Sequence, residues 1–362
     1  MPTPLRLACF VTPHGFGHAA RTCAVLAALA ERLPLTAEIF TTVPSWFFAD
    51  SLALQFRHHA EPCDVGLVQR DAMSEDLPAT VAALDQLLPF DRGRVHDLAS
   101  RVRSSGCDAV LCDVAALGIA VARRAGLPVA LLESFTWDWI YDEYLDREPR
   151  LAPHARELAR WYADVDLRLQ AWPPCAPAAA ARQVGVVSRA PRRSVPDVRA
   201  ALGLAGGERA VLLTMGGIEW DWAGFHPGLP EGTVLVIPGG SAEVRRLRWA
   251  VLLPFHSGFH HPDLVAASDA VVGKLGYGTF AECWAAGVPY GFLPRPSFPE
   301  SPVLAAAVIE GGAGMEVAPG ALAEGSWGWV RELLALERIL GGRPAGGAAE
   351  AAAALAEWLG RR

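Results

Sequence analysis

The chain has 362 residues, rather more than twice the ~150 of a typical domain, so two domains are expected. Apolar residues make up 52 % and charged residues 20 %, with 35 Gly and 28 Pro. That mixture buries large cores between many turns and excludes a disordered, collagenous or coiled-coil chain. A formal charge of −7 argues against nucleic acid or anionic lipid as a partner, so any phosphate must be held locally.

Residues 5–11 are an apolar run of strand length, broken by Pro13 and two glycines, and Val25, Leu26, Leu29 and Leu33 then recur at helical spacing through 19–33. Strands follow at 37–42, 108–113 and 129–132, the last two separated by a helix over 117–125 that Gly126-Leu127-Pro128 ends. The stretch 171–182, with three prolines and a run of alanines, reads as an interdomain linker. The same grammar then restarts. Strands are expected at 210–215, 234–237, 270–272 and 290–293, helices at 262–267 and 279–286, and an Ala-rich helix from 345. Strands alternating with helices predict parallel, doubly wound sheets. The expected fold is α/β, with a domain over 1–175, a second over 183–344, and the tail helix 345–362 returning to the first. Two such sheets facing a central cleft would bind ligands at the carboxyl ends of their strands.

Seven cysteines, odd in number and with no C-x-x-C pair, fit a reducing cytosol. The N-terminal residues lack the apolar length and cleavage site of a signal peptide, and no run of ~20 apolar residues could span a membrane. A cytoplasmic protein is expected.

The first chemically informative block is Pro13–Arg21, PHGFGHAAR, at a strand-to-helix junction. Gly15 and Gly17 allow positive φ and close backbone approach, and the helix beyond them favours anions. Gly15-x-Gly17-x-x-Ala20 formally satisfies a dinucleotide fingerprint. That fingerprint wants an acidic residue after the second strand, where Thr41, Thr42 and Val43 stand, and His14 and His18 would crowd a pyrophosphate. The glycines between the two histidines also break the regular helix that a metal pair would need. Both imidazoles could merely bond loop backbone. The sharper reading makes His18 a general base, oriented by Asp113 at the carboxyl end of its strand, although Asp113 could instead cap the next helix.

The second block, 269–304, carries Lys274, a turn through Gly276, Tyr277 and Gly278, and a helix opening at Thr279. Amides of that turn, the helix dipole and the Lys274 charge suit a phosphate, yet no Walker A loop is present. Glu282 could close a capping box with Thr279 or accept ribose hydroxyls. Arg295 and Glu300, on the Pro-rich loop after the next strand, could clamp a phosphate and accept sugar hydroxyls, or be surface charges. Between these blocks Phe135, Trp137, Trp139 and Tyr141 alternate, while Trp137, Tyr141 and Tyr144 also fit a helix. Core packing is the default for such a stripe. Asp138 could bind acceptor hydroxyls against the aromatic faces. Trp46-Phe47-Phe48 could line the acceptor side, touch a membrane-bound acceptor or pack in the core, and Trp220-Asp221-Trp222 could close over a donor sugar or form a surface loop with packed Trp. His58-His59 and His260-His261 have no metal-ligand spacing and are assigned no chemistry.

PHGFGHAAR, ESFTWDWIYDEYL at 133–145 and GKLGYGTFAECWAAGVPYGFLPRPSFPESPVL at 273–304 together resemble the GT-B class of nucleotide-sugar glycosyltransferases. Their order and separation are most similar to the glycosyltransferase-like N-terminal domain of L-arabinokinase and its free-standing bacterial relatives. The resemblance implies two Rossmann-like domains and transfer of a sugar from a nucleotide-diphosphate sugar (UDP-sugar is the common type) to a hydroxyl-bearing acceptor. Gly17-His18 would supply the base or touch the donor, with Asp113 its partner, and His14, Gly15, Arg21, Trp137 and Asp138 would lie on the acceptor side. Lys274, Gly276, Tyr277, Gly278 and Thr279 would hold the diphosphate, Glu282 the ribose and Glu300 the donor sugar, with Arg295 beside them. Gly216-Gly217 would form the turn after the second domain's first strand. The nucleotide sugar would be a co-substrate, with no cofactor and no metal.

The sequence departs from the class in two places. The usual Arg/Gly-Gly-x-Gly-Thr donor loop reads Lys274-Leu275-Gly276-Tyr277-Gly278-Thr279, and the customary acidic-Gln pair is Glu300-Ser301. The base, sugar, acceptor, stereochemical outcome and oligomeric state stay unassigned. These residues contain no counterpart of a sugar kinase, so sugar phosphorylation is not expected of them. A catalytically silent nucleotide-sugar-binding module, or an epimerase or phosphorylase on the same fold, fits the same motifs.

Overall fold

Two sheets of seven strands organise the computed structural model, which describes residues 4–71, 73–215, 227–322, 327–338 and 346–361. The described residues fall into two compact units. The first draws on 1–70, 75–187 and 345–362, and the second on 71–74 and 188–344.

In chain order the first unit's strands are β1 (Leu5–Val11), β2 (Leu35–Thr41), β3 (Gln55–Ala60), β4 (Ala109–Asp113), β5 (Val129–Glu133), β6 (Leu167–Ala171) and β7 (Arg182–Val184). They pair in the order β3-β2-β1-β4-β5-β6-β7, all parallel. Helices cover both faces, which is why β1, β4 and β5 are apolar runs rather than alternating strands. Phe10 of β1 and Phe40 of β2 stack with ring centroids 4.6 Å apart at the centre of this core. The order reverses between β1 and β4, the switch point at which such sheets open a crevice beyond their carboxyl ends.

The second unit holds β8 (Arg209–Thr214), β9 (Thr233–Pro238), β10 (Arg245–Arg246), β11 (Ala250–Leu253), β12 (Ala270–Lys274), β13 (Tyr290–Leu293) and β14 (Gly314–Glu316). Their order is β10-β11-β9-β8-β12-β13-β14, with only the two-residue β10 antiparallel. This sheet reverses between β8 and β12. Val211, Leu213, Leu235, Ile237 and Val272 pack one of its faces against Trp327, Val330 and Leu333.

The Pro-rich stretch 171–182 is not a linker between the units. It joins β6 to β7 within the first sheet, and the chain leaves that unit only after Val187. Fully buried Gln170 pins the loop: its Nε2 donates to Ala176 O (3.0 Å) and its Oε1 accepts from Ala178 N (3.0 Å). The last helix, Gly347–Gly360, lies on helix Gly17–Ala30 and buries Ala351, Ala352, Ala354 and Leu355. Gly347 passes so close to β7's end that an added Cβ would lie 2.2 Å from Gly185 O. No helix among the described residues is long and apolar enough to cross a membrane.

Candidate active site

The first unit's switch point gathers a buried polar cluster. Beyond β1 the chain turns at Gly15, whose φ of 71° lies in the left-handed region open to glycine. Helix Gly17–Ala30 starts two residues later, so Gly17 is a helical residue, not a second turn. His18 is therefore delivered to the carboxyl end of β4, where its Nδ1 stands 2.8 Å from Asp113 Oδ1. The carboxylate can only accept, so Nδ1 carries the proton and Nε2 the lone pair. Both side chains are buried.

Asp113 accepts four hydrogen bonds. Oδ1 takes His18 Nδ1 and Arg21 Nη2 (2.6 Å), and Oδ2 takes Arg21 Nε (3.0 Å) and Thr22 Oγ1 (3.1 Å). Burial alone would raise its pKa, but Arg21 and His18 outweigh burial and hold the carboxyl below its ordinary value. Burial, seconded by the Arg21 charge, lowers His18 despite the opposing pull of Asp113, so the imidazole is neutral near pH 7. Asp113 caps no helix: Ala115 occupies the N-cap of helix Ala116–Ala125. Immediately after Asp113, fully buried Val114 adopts a φ of 60°. For a β-branched residue this costs ~1–3 kcal/mol and belongs to sites that neighbouring structure over-determines. Here Tyr162 Oη donates to Val114 O (2.6 Å), and Thr12 N donates to Asp113 O (3.2 Å).

Two residues expected on the acceptor side are buried beside His18. Arg21 is 2 % exposed and engages Asp113, Ser134 (Nη1 to Oγ 2.9 Å) and His18 Nδ1 (Nη2 at 3.2 Å), because it follows His18 by one turn on the same helix face. Trp137 is fully buried and opens a short helix, Trp137–Asp142, in which its ring stacks on Tyr141 at 5.9 Å. The aromatic stripe is thus core at helical spacing. His14 remains half-buried, its ring edge-on to Trp137 at 5.2 Å. Asp138 is half-buried, and its Oδ1, inaccessible to solvent, has no hydrogen-bond partner among the described residues. Phe16 and Trp46 are half-buried neighbours in T-shaped contact at 5.7 Å, whereas Phe47 and Phe48 are core.

Sequence reasoning missed Asp64. On the loop after β3 it accepts from Thr12 Oγ1 (2.7 Å) and Val65 N (2.8 Å), and burial raises its pKa to about 6 despite those bonds. A single Asp in a loop offers no periodic signal that could have marked it.

In the second unit, the helix after β12 opens at Tyr277 with Gly276 as its N-cap, two residues before the expected Thr279. The capping box with Glu282 is therefore absent. Gly276, at φ −158°, is ordinary extended backbone, and a Cβ there would meet open space. Gly278 and Thr279 lie in the first turn, and Tyr277 is buried. Lys274, last in β12, is 9 % exposed; burial and then nearby Arg295 lower its pKa to about 7, with Glu300 opposing. Arg295 and Glu300 are both buried rather than surface charges. The Arg295 guanidinium lies 4.1 Å from the Phe298 ring, its backbone N–H donates to Ser301 Oγ (2.9 Å), and Glu300 begins helix Glu300–Glu310. Two cations and one carboxylate are thereby enclosed at one sheet edge, beside a helix N-terminus.

Glu282 is buried and already partnered. Arg189 Nη2 donates to Oε1 (2.8 Å), and His261 Nδ1 contacts Oε2 (2.5 Å). Burial would raise its pKa, but Arg189 and His261 bring it down to about 2. His261, to which the sequence assigned no chemistry, is thus part of this cluster. Gly216-Gly217 and Trp220-Asp221-Trp222 lie outside the described residues. Among the described residues no group of three His, Cys, Asp or Glu could hold a metal ion.

No protein-family model matches the chain. It is similar to L-arabinokinase of Arabidopsis thaliana, with 29 % identity over 308 residues. That match takes in 83 % of this chain but 29 % of the plant protein, so the chain spans under a third of its relative's length. Among solved structures, the glycotransferase of kitacinnamycin matches with a TM-score of 0.59 at 18 % identity, over 98 % of this chain and 99 % of that one. Phytolacca americana UGT2 complexed with UDP-2fluoro-glucose and pterostilbene matches with a TM-score of 0.58 at 12 % identity, over 99 % and 100 %. Two doubly wound seven-stranded sheets, and likenesses that run over nearly the whole chain, give the protein the GT-B fold of glycosyltransferases.

Proposed function

We propose that the chain transfers a sugar from a nucleotide-diphosphate sugar to a hydroxyl-bearing acceptor, with His18 as the base and no metal required. The observation that carries this reading is the buried contact of His18 Nδ1 with Asp113 at 2.8 Å on the switch point of the first sheet. It leaves a neutral imidazole with its Nε2 lone pair available to take the acceptor's proton as the hydroxyl oxygen attacks the anomeric carbon. The bond from that carbon to the diphosphate oxygen breaks, and the diphosphate departs with the electron pair. Lys274, Arg295 and the amides of 276–279 would stabilise its charge, a role that preorganised donors fill without reorganising. Asp138 would accept an acceptor hydroxyl, a role supported by its buried oxygen, which has no partner among the described residues. Any ribose contact of Glu282 adds to the bonds that Arg189 and His261 already make. The nucleotide sugar is a co-substrate, and no separate cofactor enters the scheme.

The test is to incubate the protein with uridine-, thymidine-, guanosine- and adenosine-diphosphate sugars and a panel of hydroxyl acceptors, following nucleotide release and product mass. Acceptor-dependent release from one donor is expected, and His18→Ala should lower turnover by ~10²–10⁴-fold while leaving donor affinity nearly unchanged. Unchanged turnover in that variant removes His18 from the mechanism. Donor binding without release across the panel would favour a silent binding module, and product formed without acceptor an epimerase.

A further inference from the structure

A His–Asp pair suffices for base catalysis, yet this one is built with a third member. Arg21 Nη2 touches both partners, lying 2.6 Å from Asp113 Oδ1 and 3.2 Å from His18 Nδ1, while Nε bonds the other carboxylate oxygen. Ser134 Oγ holds the far side of the guanidinium. The Arg21 side chain is 1 % exposed and that of Asp113 is 0 %, so these charges interact at low effective dielectric. A guanidinium cannot lose its proton and cannot accept, so it imposes two things on the pair. It commits both Asp113 oxygens, leaving His18 as the sharer of a carboxylate whose charge is already answered. It also places a permanent positive charge beside the ring edge where a second positive charge would have to form.

We propose that Arg21 is a positioning residue that holds Asp113 where its Oδ1 accepts from His18 Nδ1, and that its fixed charge beside the ring keeps the imidazole uncharged, and so able to accept a proton, to a more acid pH than Asp113 alone would allow. The charged groups bearing on His18 are Asp113 from β4 and Arg21 from its own helix. Glu133, at the end of β5, acts on Arg21, while Arg168 Nε (2.8 Å) and Gln170 Nε2 (2.8 Å) bond its Oε1. From the segment after β5, Phe135 and Trp137 offer only rings, at centroid distances of 5.6 and 6.4 Å. Asp64, on the loop after β3, reaches Thr12 rather than the imidazole. Burial disfavours the imidazolium in the same sense as Arg21, so removing Arg21 should release part of the effect rather than all of it.

The role assigned to Arg21 rests on the reading of His18 as the base, but its test does not need turnover. The His18 ring is followed by nitrogen-15 NMR through a pH titration of the intact protein, its signal among the ten histidines identified by its loss in His18→Gln. The wild-type ring should show the Nδ1–H tautomer and titrate below the ordinary histidine range. In Arg21→Met the midpoint should move up towards the ordinary histidine range. Should Arg21→Met fail to fold, Arg21→Lys serves: its single ammonium cannot span both carboxylate oxygens, and a smaller upward shift is expected. A midpoint unmoved in the variant that folds, or an Nε2–H tautomer in the wild type, overturns the proposal. If the shift is found while no variant or wild type turns over any donor, the transferase reading fails and the role of Arg21 stands.

Discussion

At the residue scale, the two units solve opposite electrostatic problems. Around Asp113 a buried carboxylate is stabilised by Arg21, and around Lys274 a buried ammonium is left short of negative charge. A cation whose pKa falls on folding binds fewer protons than the unfolded chain above that pKa. Stability therefore rises with pH from about 7 towards the ordinary lysine value of 10.5, while the charge that a diphosphate would meet disappears over the lower part of that window. Calorimetric titration with uridine diphosphate, or whichever nucleoside diphosphate binds, should show affinity falling roughly tenfold from about pH 6 to pH 8 in the wild type. Lys274→Met should bind more weakly throughout and lack that component of the pH dependence. Parallel profiles for the two proteins would detach Lys274 from the anion. Tyr290 Oη donates to Lys274 O (2.6 Å) and so fixes the backbone from which the ammonium extends.

At the scale of elements, β1, β2, β4, β5, β8, β9, β12 and β13 were legible because burial writes them as apolar runs, and their parallel pairing followed from the alternation with helices. The other six strands, among them the half-exposed QFRHHA of β3, were not. The helix after β12 was legible in place but began early, since Gly276 serves as N-cap without needing a side-chain oxygen. Two features that composition and spacing did not reveal share one physical cause. The stretch 171–182 looked like a linker because composition reports local stiffness, not the Gln170 side chain that ties it to the sheet. The ion pair of Glu282 was hidden because its partner Arg189 lies 93 positions away in sequence. Contacts made across the fold leave no periodic trace, whereas Arg21, one helical turn from His18, could have been found from spacing alone. Close packing of helix Ala116–Ala125 on the sheet gives a further test. A Cβ added at Gly118 would lie 2.6 Å from Cys112 Sγ and from Phe10, so Gly118→Ala should lower stability by ~1–3 kcal/mol in urea unfolding. No loss would mean that the helix stands off β1 and β4, and that Asp113 is less firmly seated than described.

For the whole molecule, the fold was readable from the sequence and the chemistry only in part. Both sheets reverse their order beside the residues picked out by motif: His18 and Asp113 at β1 and β4, Lys274 at the end of β12. The glycines and charged residues marked these positions, but which of them are buried supports and which can meet a ligand depended on packing. Arg21 and Trp137 are buried, Asp138 keeps an oxygen without a partner among the described residues, and Asp64 came from the structure alone. The transferase reading depends on where an activated sugar's leaving group sits. A crystal structure with a nucleoside diphosphate bound tests this most directly. Diphosphate oxygens against the amides of 276–279 and within reach of Lys274 are the predicted result. A diphosphate seated away from β12, with those amides covered by protein side chains, would contradict it.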